Sequence, residues 1–554
     1  MKATRRAEVI GSLLFSLLTT WCSSTLAGDV GATPGSTVAH VPNLPRVPID
    51  ADIDRLPGNE RAALANIVAA ARVIDAAAMH YAFAGSFSTL VRLAEDRSDI
   101  GRARLDGFVA RMSPWLDDGS TFVPGVLLTA PAQPGYPADA TKDEVANWWA
   151  RLPDSDRALA KSHYSVVRRQ ADGSLYAVRY SVAYGDEFAY AANLLNAAAR
   201  LTAEPTLKRY LVSRAKSLLT DDYHDSYVDF VELSGIIDVV LGPEESGDDW
   251  FGVKFPFETG IGLVNDAATQ RVRRFVPHLQ NLEDNLPLSE ALRGRPLGKS
   301  GTIVVLDAVY QGQSGGTWIG YGLPDDAQVT REHGRRTGLY LNLLAARYKR
   351  LHHPIAEAIL QRTDAGALRL EDIADEIAMV RLFDALGPQT LTTGQPLSEA
   401  LQDTTETAQQ IQSMLLSLWA HQYLIDQGKL QRSEGTTLYS AFLVPALARA
   451  GGGLGSSAAR GSTYILNCLL EAQAFHLDKS GRVLIDPARA RDTITKTIRD
   501  FVPLIAAGNV GAIRTRLSRY AVISPELQRI LNRIEPRDAN FVPVFVSAAR
   551  LEGG

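Results

Sequence analysis

The sequence predicts an α+β protein that is dominated by helices, with its strands in the first 330 residues. Apolar residues recur at the 3.6-residue spacing of helices through most of the chain after residue 337. Runs rich in β-branched residues and bounded by turn residues occur earlier, at residues 164–182, 236–241 and 301–310. The composition, 46% hydrophobic and 21% charged, is globular and excludes a mainly disordered, collagen-like or disulfide-stapled chain.

The first 27 residues have the pattern of a secretory signal peptide. Lys2, Arg5 and Arg6 precede an apolar run at residues 10–21, and Ala27 supplies the small residue at the cleavage point. The apolar run is shorter than the ~20 residues that a membrane-spanning helix needs, which argues against an uncleaved anchor. The sequence therefore predicts cleavage after residue 27 and a secreted or periplasmic protein.

Charge and cysteine content restrict the partners of the mature chain. The full sequence has 57 basic and 62 acidic residues and a formal charge of -5, without a long basic run, so nucleic acid is not an expected partner. Cleavage leaves Cys468 as the one cysteine, which excludes an intramolecular disulfide. No later apolar run reaches membrane-spanning length by inspection, so we expect no stable membrane insertion after cleavage.

The remaining elements follow in chain order. Residues 28–58 are rich in proline and glycine and predict an extended leader. Residues 59–330 form a mixed α/β part, and residues 331–554 form a mainly helical part. The predicted helices span residues 59–83, 186–219 with a break at Pro205, 338–362, 371–386, 404–427, 437–450, 457–474, 486–506 and 508–517, and residues 164–182 predict a hairpin.

Several short segments, in a fixed order, carry a family resemblance. They are residues 135–142 (GYPADATK), 164–169, 218–223 (LLTDDY), 239–243 followed by Glu245 and Asp249, 251–254, 257–258, 280–287 (QNLEDNLP) and 353–356. Together they resemble the dipeptidyl peptidase III family of zinc peptidases, especially its shorter bacterial members and the plant proteins that fuse this domain to a Nudix domain. The resemblance covers roughly residues 58–540 and implies two lobes around a wide cleft, with the metal carried by the helical lobe.

The zinc motif that the resemblance implies is absent. The family removes dipeptides from peptide N-termini with a zinc-bound water, two His one helical turn apart and a Glu base, written H-E-x-x-H before G-x-G-P. Residues 386–388 (LGP) set the register here, so the first His position falls on Val380, the Glu on Arg381 and the second His on Asp384. Valine cannot bind zinc, and arginine cannot act as a base at neutral pH.

Two further positions of the family site are also changed. The resemblance places the third zinc ligand, a Glu, at Gln410, and a later His that is thought to stabilise the transition state near Arg460. Either register can shift by a residue or by one helical turn. An amide is a poor zinc ligand, so the sequence predicts no zinc or other cofactor, although zinc is expected of the family.

The residues that would anchor a peptide are partly retained. Glu245 keeps the family acid that resemblance implicates in holding a free α-amino group. The family's N-x-P-N element is residues 322–325 (GLPD) here, so Asp325 takes the place of an Asn. We expect Glu245 and Asp325 to contribute to substrate binding.

Other candidate signals favour structural roles. The glycine-rich run at residues 451–455 follows a helical pattern and lacks the Lys of a phosphate-binding loop. The aromatic pairs at residues 148–149 and 250–251 are expected in the core. An acidic cluster is equally consistent with a solvated loop or with a role in the cleft; it comprises Glu244, Glu245, Asp248 and Asp249.

The sequence thus predicts a secreted, catalytically inactive homologue that binds a peptide or protein ligand in the inter-lobe cleft. One alternative is an active peptidase with a rearranged metal site, for which the nearby candidates are Asp375, Glu376, Asp384 and His421. Another is an interaction protein whose cleft is vestigial. The charge of Arg381 would repel a metal cation and weighs against the active peptidase.

Overall fold

The structure is a computed structural model that describes residues 44–83, 85–116, 120–126, 133–244, 249–297, 301–312, 317–431, 434–535 and 541–552. The predicted signal peptide (1–27), residues 28–43 of the predicted leader, and Glu245 lie outside the described residues. The helices are α1 (Gly58–Ala82), α2 (Ser86–Glu95), α3 (Asp99–Arg111), α4 (Lys142–Arg151), α5 (Asp154–Ala160), α6 (Tyr180–Ala183), α7 (Gly185–Leu201), α8 (Pro205–Thr220), α9 (His224–Val231), α10 (Asp266–Arg273), α11 (Leu279–Asp284), α12 (Ala327–His333), α13 (Leu341–Arg347), α14 (His353–Ile359), α15 (Arg362–Ala367), α16 (Leu370–Leu382), α17 (Leu397–Leu401), α18 (Thr405–Asp426), α19 (Glu434–Gly451), α20 (Ser457–Glu471), α21 (Pro487–Ala506), α22 (Val510–Tyr520), α23 (Pro525–Leu531) and α24 (Val546–Glu552).

The strands form one five-stranded sheet and three small pairs. They are β1 (Arg46–Ile49), β2 (Ser165–Arg169), β3 (Leu175–Arg179), β4 (Ile237–Pro243), β5 (Phe257–Val264), β6 (Thr302–Gln311), β7 (Gly320–Leu323), β8 (Arg336–Tyr340), β9 (Phe475–Leu477), β10 (Val483–Ile485) and β11 (Val542–Phe545). The order in the large sheet is β4-β5-β6-β8-β7. Strand β5 is antiparallel to β4 and β6, and its register against β6 shifts between Ile261 and Gly262.

Most predicted elements are confirmed, and the helix-dominated α+β class is correct. The hairpin of residues 164–182 forms as β2 and β3, and the break at Pro205 separates α7 from α8. Pro205 lies in the first turn of α8, where its missing N–H costs no hydrogen bond.

Two expectations about strands are wrong. Strands β8 to β11 lie after residue 330, and the helix predicted at 338–362 starts only after strand β8. Strands β9 and β10 are three residues each, too short for a period-2 pattern to show. Their turn is closed by Asp478, which accepts hydrogen bonds from the backbone N–H groups of Ser480 and Arg482.

Helix α1 is the central core helix of its part of the protein. It packs against α7 and β5, and Leu64, Ile67 and Val68 are fully buried. The expectation that no later apolar segment is long enough to span a membrane is wrong for α1, which is long and apolar enough, but 78% of its apolar window is buried inside the protein. Core helices of globular proteins share this composition.

The described chain divides into two compact units. The mixed unit contains the described residues up to Asn265, residues 306–336 and the described residues from 541 onward. The helical unit contains residues 266–305 and the described part of residues 337–539. The chain passes from one unit to the other at four points, and the predicted division at residues 330/331 falls near one of them. Residues 266–305 belong to the helical unit, although the sequence places them in the mixed part. The C-terminal segment belongs to the mixed unit, although the sequence places it in the helical part.

The ends of the mixed unit are joined by a parallel strand pair. Strand β1 pairs with β11, with Arg46 opposite Val542 and Ile49 opposite Phe545. The Ser547 hydroxyl lies 2.7 Å from the backbone N–H of Ala51, which donates to it. Part of the segment predicted as a leader is therefore an integral strand of this unit.

Candidate functional site

The segment aligned with the zinc motif ends in a tightly held glycine turn. Helix α16 is capped by Asp372, which accepts a hydrogen bond from the backbone N–H three positions earlier at 2.8 Å. The turn Phe383–Ala385 then leads to Gly387, whose φ of 73° favours glycine. The Gly387 N–H donates to Glu283 at 2.9 Å, and a methyl group on Gly387 would lie 3.0 Å from Leu416. These contacts fix the position of the residues before the turn.

The three motif positions carry side chains of different chemistry. Val380 is half-buried on α16, whereas Arg381 and Asp384 are exposed. The Ser413 hydroxyl on α18 donates a hydrogen bond to the Asp384 carboxylate. Among these three side chains, only that of Asp384 offers a lone pair to a cation. One of the Asp384 carboxylate oxygens already accepts the hydrogen bond from Ser413.

Gln410 and Arg460 lie on two helices that pack against each other, α18 and α20. A Cβ atom on Gly461 of α20 would lie 3.4 Å from the Cβ atom of Gln410 on α18. Arg460 donates from Nε to the Thr407 hydroxyl and from Nη1 to the Gly455 carbonyl, both at 3.0 Å. The guanidinium of Arg460 thus bonds to neutral acceptors.

A small cavity in the helical unit collects most of the alternative metal ligands. Its volume is about 40 Å³, enough for a few water molecules. Asp375, Glu376 and His421 line it, whereas Asp384 does not. The Asp375 carboxylate accepts hydrogen bonds from Arg271 at 3.0 Å and Arg274 at 3.1 Å, so its charge is already balanced. The other lining residues are Asp372, Thr437, Leu438 and Ala441.

Glu376 is the least compensated acid of this cavity. It is 3% exposed, and its Oε2 atom has no hydrogen-bond partner among the described residues. Burial raises the pKa of the Glu376 carboxyl from 4.5 to about 7, and nearby Arg449 opposes that rise only in part. The carboxyl is therefore largely protonated below neutral pH.

The acidic cluster of the mixed unit is structural at the two positions that the structure describes. Glu244 is buried and bonds to Arg214 at 2.6 Å, so the solvated-loop interpretation is wrong for this residue. The Arg214 guanidinium also lies 5.2–5.3 Å from the ring centroids of three tyrosines. Asp249 accepts a hydrogen bond from the Tyr136 hydroxyl at 2.6 Å. The three tyrosines are Tyr210, Tyr223 and Tyr227.

Of the two residues predicted to anchor a peptide, Glu245 and Asp325, the structure describes only Asp325. Asp325 is exposed in the mixed unit, directly before Asp326, whose carboxylate caps α12 by accepting from the Val329 N–H. Glu245 lies outside the described residues, so the predicted pairing stays a prediction. Of the aromatic pairs, Trp149 and Phe251 pack with ring centroids 4.2 Å apart and confirm the core assignment.

Comparison with known proteins identifies the family. A dipeptidyl peptidase III structure from Corallococcus sp. strain EGB is 32% identical, with a TM-score of 0.83 over 91% of this chain and 96% of that chain. The chain belongs to the dipeptidyl peptidase III family. A second dipeptidyl peptidase III structure, from Caldithrix abyssi, is 25% identical, with a TM-score of 0.85 over 92% of this chain and 98% of that one.

A plant protein also matches this chain. Nudix hydrolase 3 of Arabidopsis thaliana is 24% identical over 547 residues, which cover 88% of this chain and 71% of the plant protein. No family model matches the sequence. The predicted resemblance and the two-lobed dipeptidyl peptidase III-like fold are confirmed by the two structures.

The residues at the zinc-aligned positions do not fit the ion of dipeptidyl peptidase III enzymes. Val380 has an alkyl group at a ligand position, and Gln410 has an amide at another. Arg381 has a cation at the position of the base. In the part of the chain that the structure describes, no group of three or more His, Cys, Asp or Glu side chains is placed to hold a metal.

We predict that Arg214→Met destabilises the mixed unit by about 3–5 kcal/mol, because it leaves the buried Glu244 charge unpaired. Arg209→Met on the same helix is the matched control. Arg209 is 50% exposed, so its loss should cost no more than ~1 kcal/mol. Urea denaturation followed by circular dichroism measures the free energy of unfolding of both variants.

Adding Glu244→Gln to Arg214→Met should recover part of the lost free energy of unfolding, because it removes the unpaired charge. Equal losses for Arg214→Met and Arg209→Met would contradict this account.

We also predict that Glu376→Gln stabilises the protein in a pH-dependent way. Since the folded-state pKa lies above the unfolded value, the wild type loses stability as pH rises from 4.5 to about 7. The gain from Glu376→Gln should be absent near pH 4 and reach roughly 3 kcal/mol at pH 8. The exposed Glu371→Gln on the same helix is the control. A gain that is the same at both pH values would be evidence against the shift.

Proposed function

We propose that this protein is a secreted dipeptidyl peptidase III homologue that binds a peptide or protein ligand and does not hydrolyse it through zinc. The observation that carries the proposal is Arg381, which stands where the general base of the family belongs. A guanidinium stays protonated at physiological pH, so it cannot accept a proton from water. It would also repel a cation bound nearby.

The neighbouring positions support the same proposal. Val380 has no donor atom, and the Asp384 carboxylate is engaged by Ser413. Gln410 contributes at best an amide oxygen, which transition metals bind weakly. One such change would be compatible with a working site, but here Val380 removes a ligand, Arg381 removes the base and Gln410 weakens a further ligand.

The proposed location and ligand rest on sequence features. Residues 1–27 have the signal-peptide pattern, and the chain without them carries a net charge of about -7 without a long basic run. Glu245 and Asp325 are acids at positions that serve peptide anchoring in the family. We therefore propose a peptide with a free α-amino group as the ligand, and neither nucleic acid nor a membrane as a partner.

The cavity of the helical unit favours one alternative, an active peptidase with a rearranged metal site. It brings Asp375, Glu376 and His421 together, three of the candidates named from the sequence. However, two arginines already neutralise Asp375, and Glu376 is largely protonated below neutral pH. This set therefore supports metal binding poorly.

We predict that the purified protein, dialysed against micromolar zinc and then against buffer, retains no zinc by inductively coupled plasma mass spectrometry. A reconstructed variant with Val380→His, Arg381→Glu, Asp384→His and Gln410→Glu should retain about one equivalent, since it restores three ligands. Val380→His alone is the control and should retain none. Dipeptidyl arylamide hydrolysis by the wild type should not respond to added zinc.

Near-stoichiometric zinc in the wild type would refute the proposal that the protein binds no zinc. If His421→Ala then abolished zinc binding, the evidence would favour the alternative, an active peptidase with a rearranged metal site. Calorimetric titration with an unmodified peptide and its N-acetylated form tests the binding function separately. Failure to bind the unmodified peptide would favour a purely structural interaction protein.

A further inference from the structure

A groove on the surface of the mixed unit lies between helices α8 and α9. Its volume is about 670 Å³, which is in the range of pockets that hold ligands. The lining residues on α8 are Pro205, Lys208, Arg209, Val212, Ser213 and Lys216, and those on α9 are His224, Asp225, Val228 and Asp229. None of them is one of the two residues predicted to anchor a peptide.

The groove is already formed in the free protein, because α8 and α9 are braced against each other. Arg209 of α8 bonds to Asp229 of α9 at 2.7 Å. The Ser217 hydroxyl of α8 donates to the Ser226 hydroxyl of α9 at 3.1 Å. A partner therefore meets walls that are in place, and binding does not have to order them.

One face of α8 alternates between basic and apolar side chains. Exposed positions recur at the three- and four-residue spacing of a helical face, and they are Lys208, Val212, Lys216 and Leu219. Val212 is 49% exposed and Leu219 is 51% exposed. Val228 is half-buried across the groove on α9. The two valines thus offer apolar surface that a partner's side chain would remove from water.

The two lysines of this face are available to a partner. Lys208 is exposed, and its ammonium group has no acidic partner among the described residues. Lys216 lies 3.5 Å from Asp225, and the side chains of that pair are 63% and 70% exposed. Such an exposed pair contributes little, so an acid from a partner can compete for Lys216. Eight residues separate the lysines, which is about 12 Å along the helix.

We propose that this groove binds an extended segment of a partner protein with the pattern acid-x-apolar-x-acid. Alternate side chains of an extended chain point to one side, and four residues span about 13 Å. The two acids would therefore face Lys208 and Lys216. The apolar residue between them would cover Val212 and Val228. This inference is independent of the proposed function, because it needs no free α-amino group.

Charge complementarity selects an acidic partner for this groove. The chain without residues 1–27 carries a net charge of about -7, so it repels an acidic segment as a whole. Attraction is expected only where cations are concentrated, as they are on this face of α8. Arg209 does not add to the attraction, since Asp229 already balances its charge.

The test is calorimetric titration of the full-length protein with the synthetic peptide SETLTES, acetylated and amidated at its ends. We expect saturable binding that weakens as salt is added. Lys208→Gln should weaken the affinity about two- to fivefold, since it removes one exposed charge pair. Val212→Asp should abolish binding, because it places a carboxylate in the groove. Arg151→Gln removes an exposed arginine of α4 in the same unit and should leave the affinity unchanged.

A second peptide tests the spacing of the two acids. STEELTS has the same composition, but its adjacent acids point to opposite sides of an extended chain. Equal affinities for the two peptides would overturn the proposal, as would the absence of saturable binding of SETLTES. If Val212→Asp fails to fold by circular dichroism, the double variant Lys208→Glu and Lys216→Glu replaces it and must abolish binding.

Anionic vesicles provide the remaining comparison, because a basic and apolar helix face also suits a membrane surface. We expect the protein not to sediment with phosphatidylglycerol vesicles. Sedimentation that Lys208→Gln and Lys216→Gln reduce would assign the face to a membrane and overturn the proposal. Since SETLTES has no free α-amino group, its result is separate from that of the unmodified peptide that tests the proposed function.

Discussion

The docking of the Gly387 turn on helix α18 is the constraint on which the candidate site depends. Its left-handed glycine lets the chain reverse where a side chain would strain it, and the Gly387 N–H is held by the buried Glu283. The Gln412 amide on α18 donates to the Pro388 carbonyl at 3.1 Å. With the turn fixed from both sides, the end of α16 that carries Val380 and Arg381 is held in one position.

The two units treat buried charge differently. In the mixed unit, Arg214 and Glu244 are paired at 2.6 Å and enclosed by three tyrosine rings, so neither charge is left alone. In the helical unit, burial raises the pKa of the Glu376 carboxyl, and the charge of Arg449 opposes that rise only in part. A paired charge is consistent with a structural role. Unpaired buried charge is more often found where a ligand or a proton binds.

The register of the zinc-aligned positions is a prediction from the LGP segment at residues 386–388, and the structure shows that this segment forms a tightly held turn. What could not be read is which buried charges influence one another in the folded chain. Glu376 and Arg449 do so from opposite ends of a stretch of about seventy residues, and no local pattern marks them. The burial of Glu244 was equally hidden, since its partner Arg214 lies on a helix thirty positions earlier.

The sequence by itself determined the long helices, the β2–β3 hairpin, the family and the identities at the zinc-aligned positions. Periodicity and turn chemistry are local signals, and helices of many turns display them repeatedly. Only the tertiary structure decided that Arg336–Tyr340 is a strand, that Arg46–Ile49 pairs with the far end of the chain, and which buried charges meet. Strand pairing and burial depend on neighbours that are distant in sequence, so the same short segment can extend or coil according to what lies beside it.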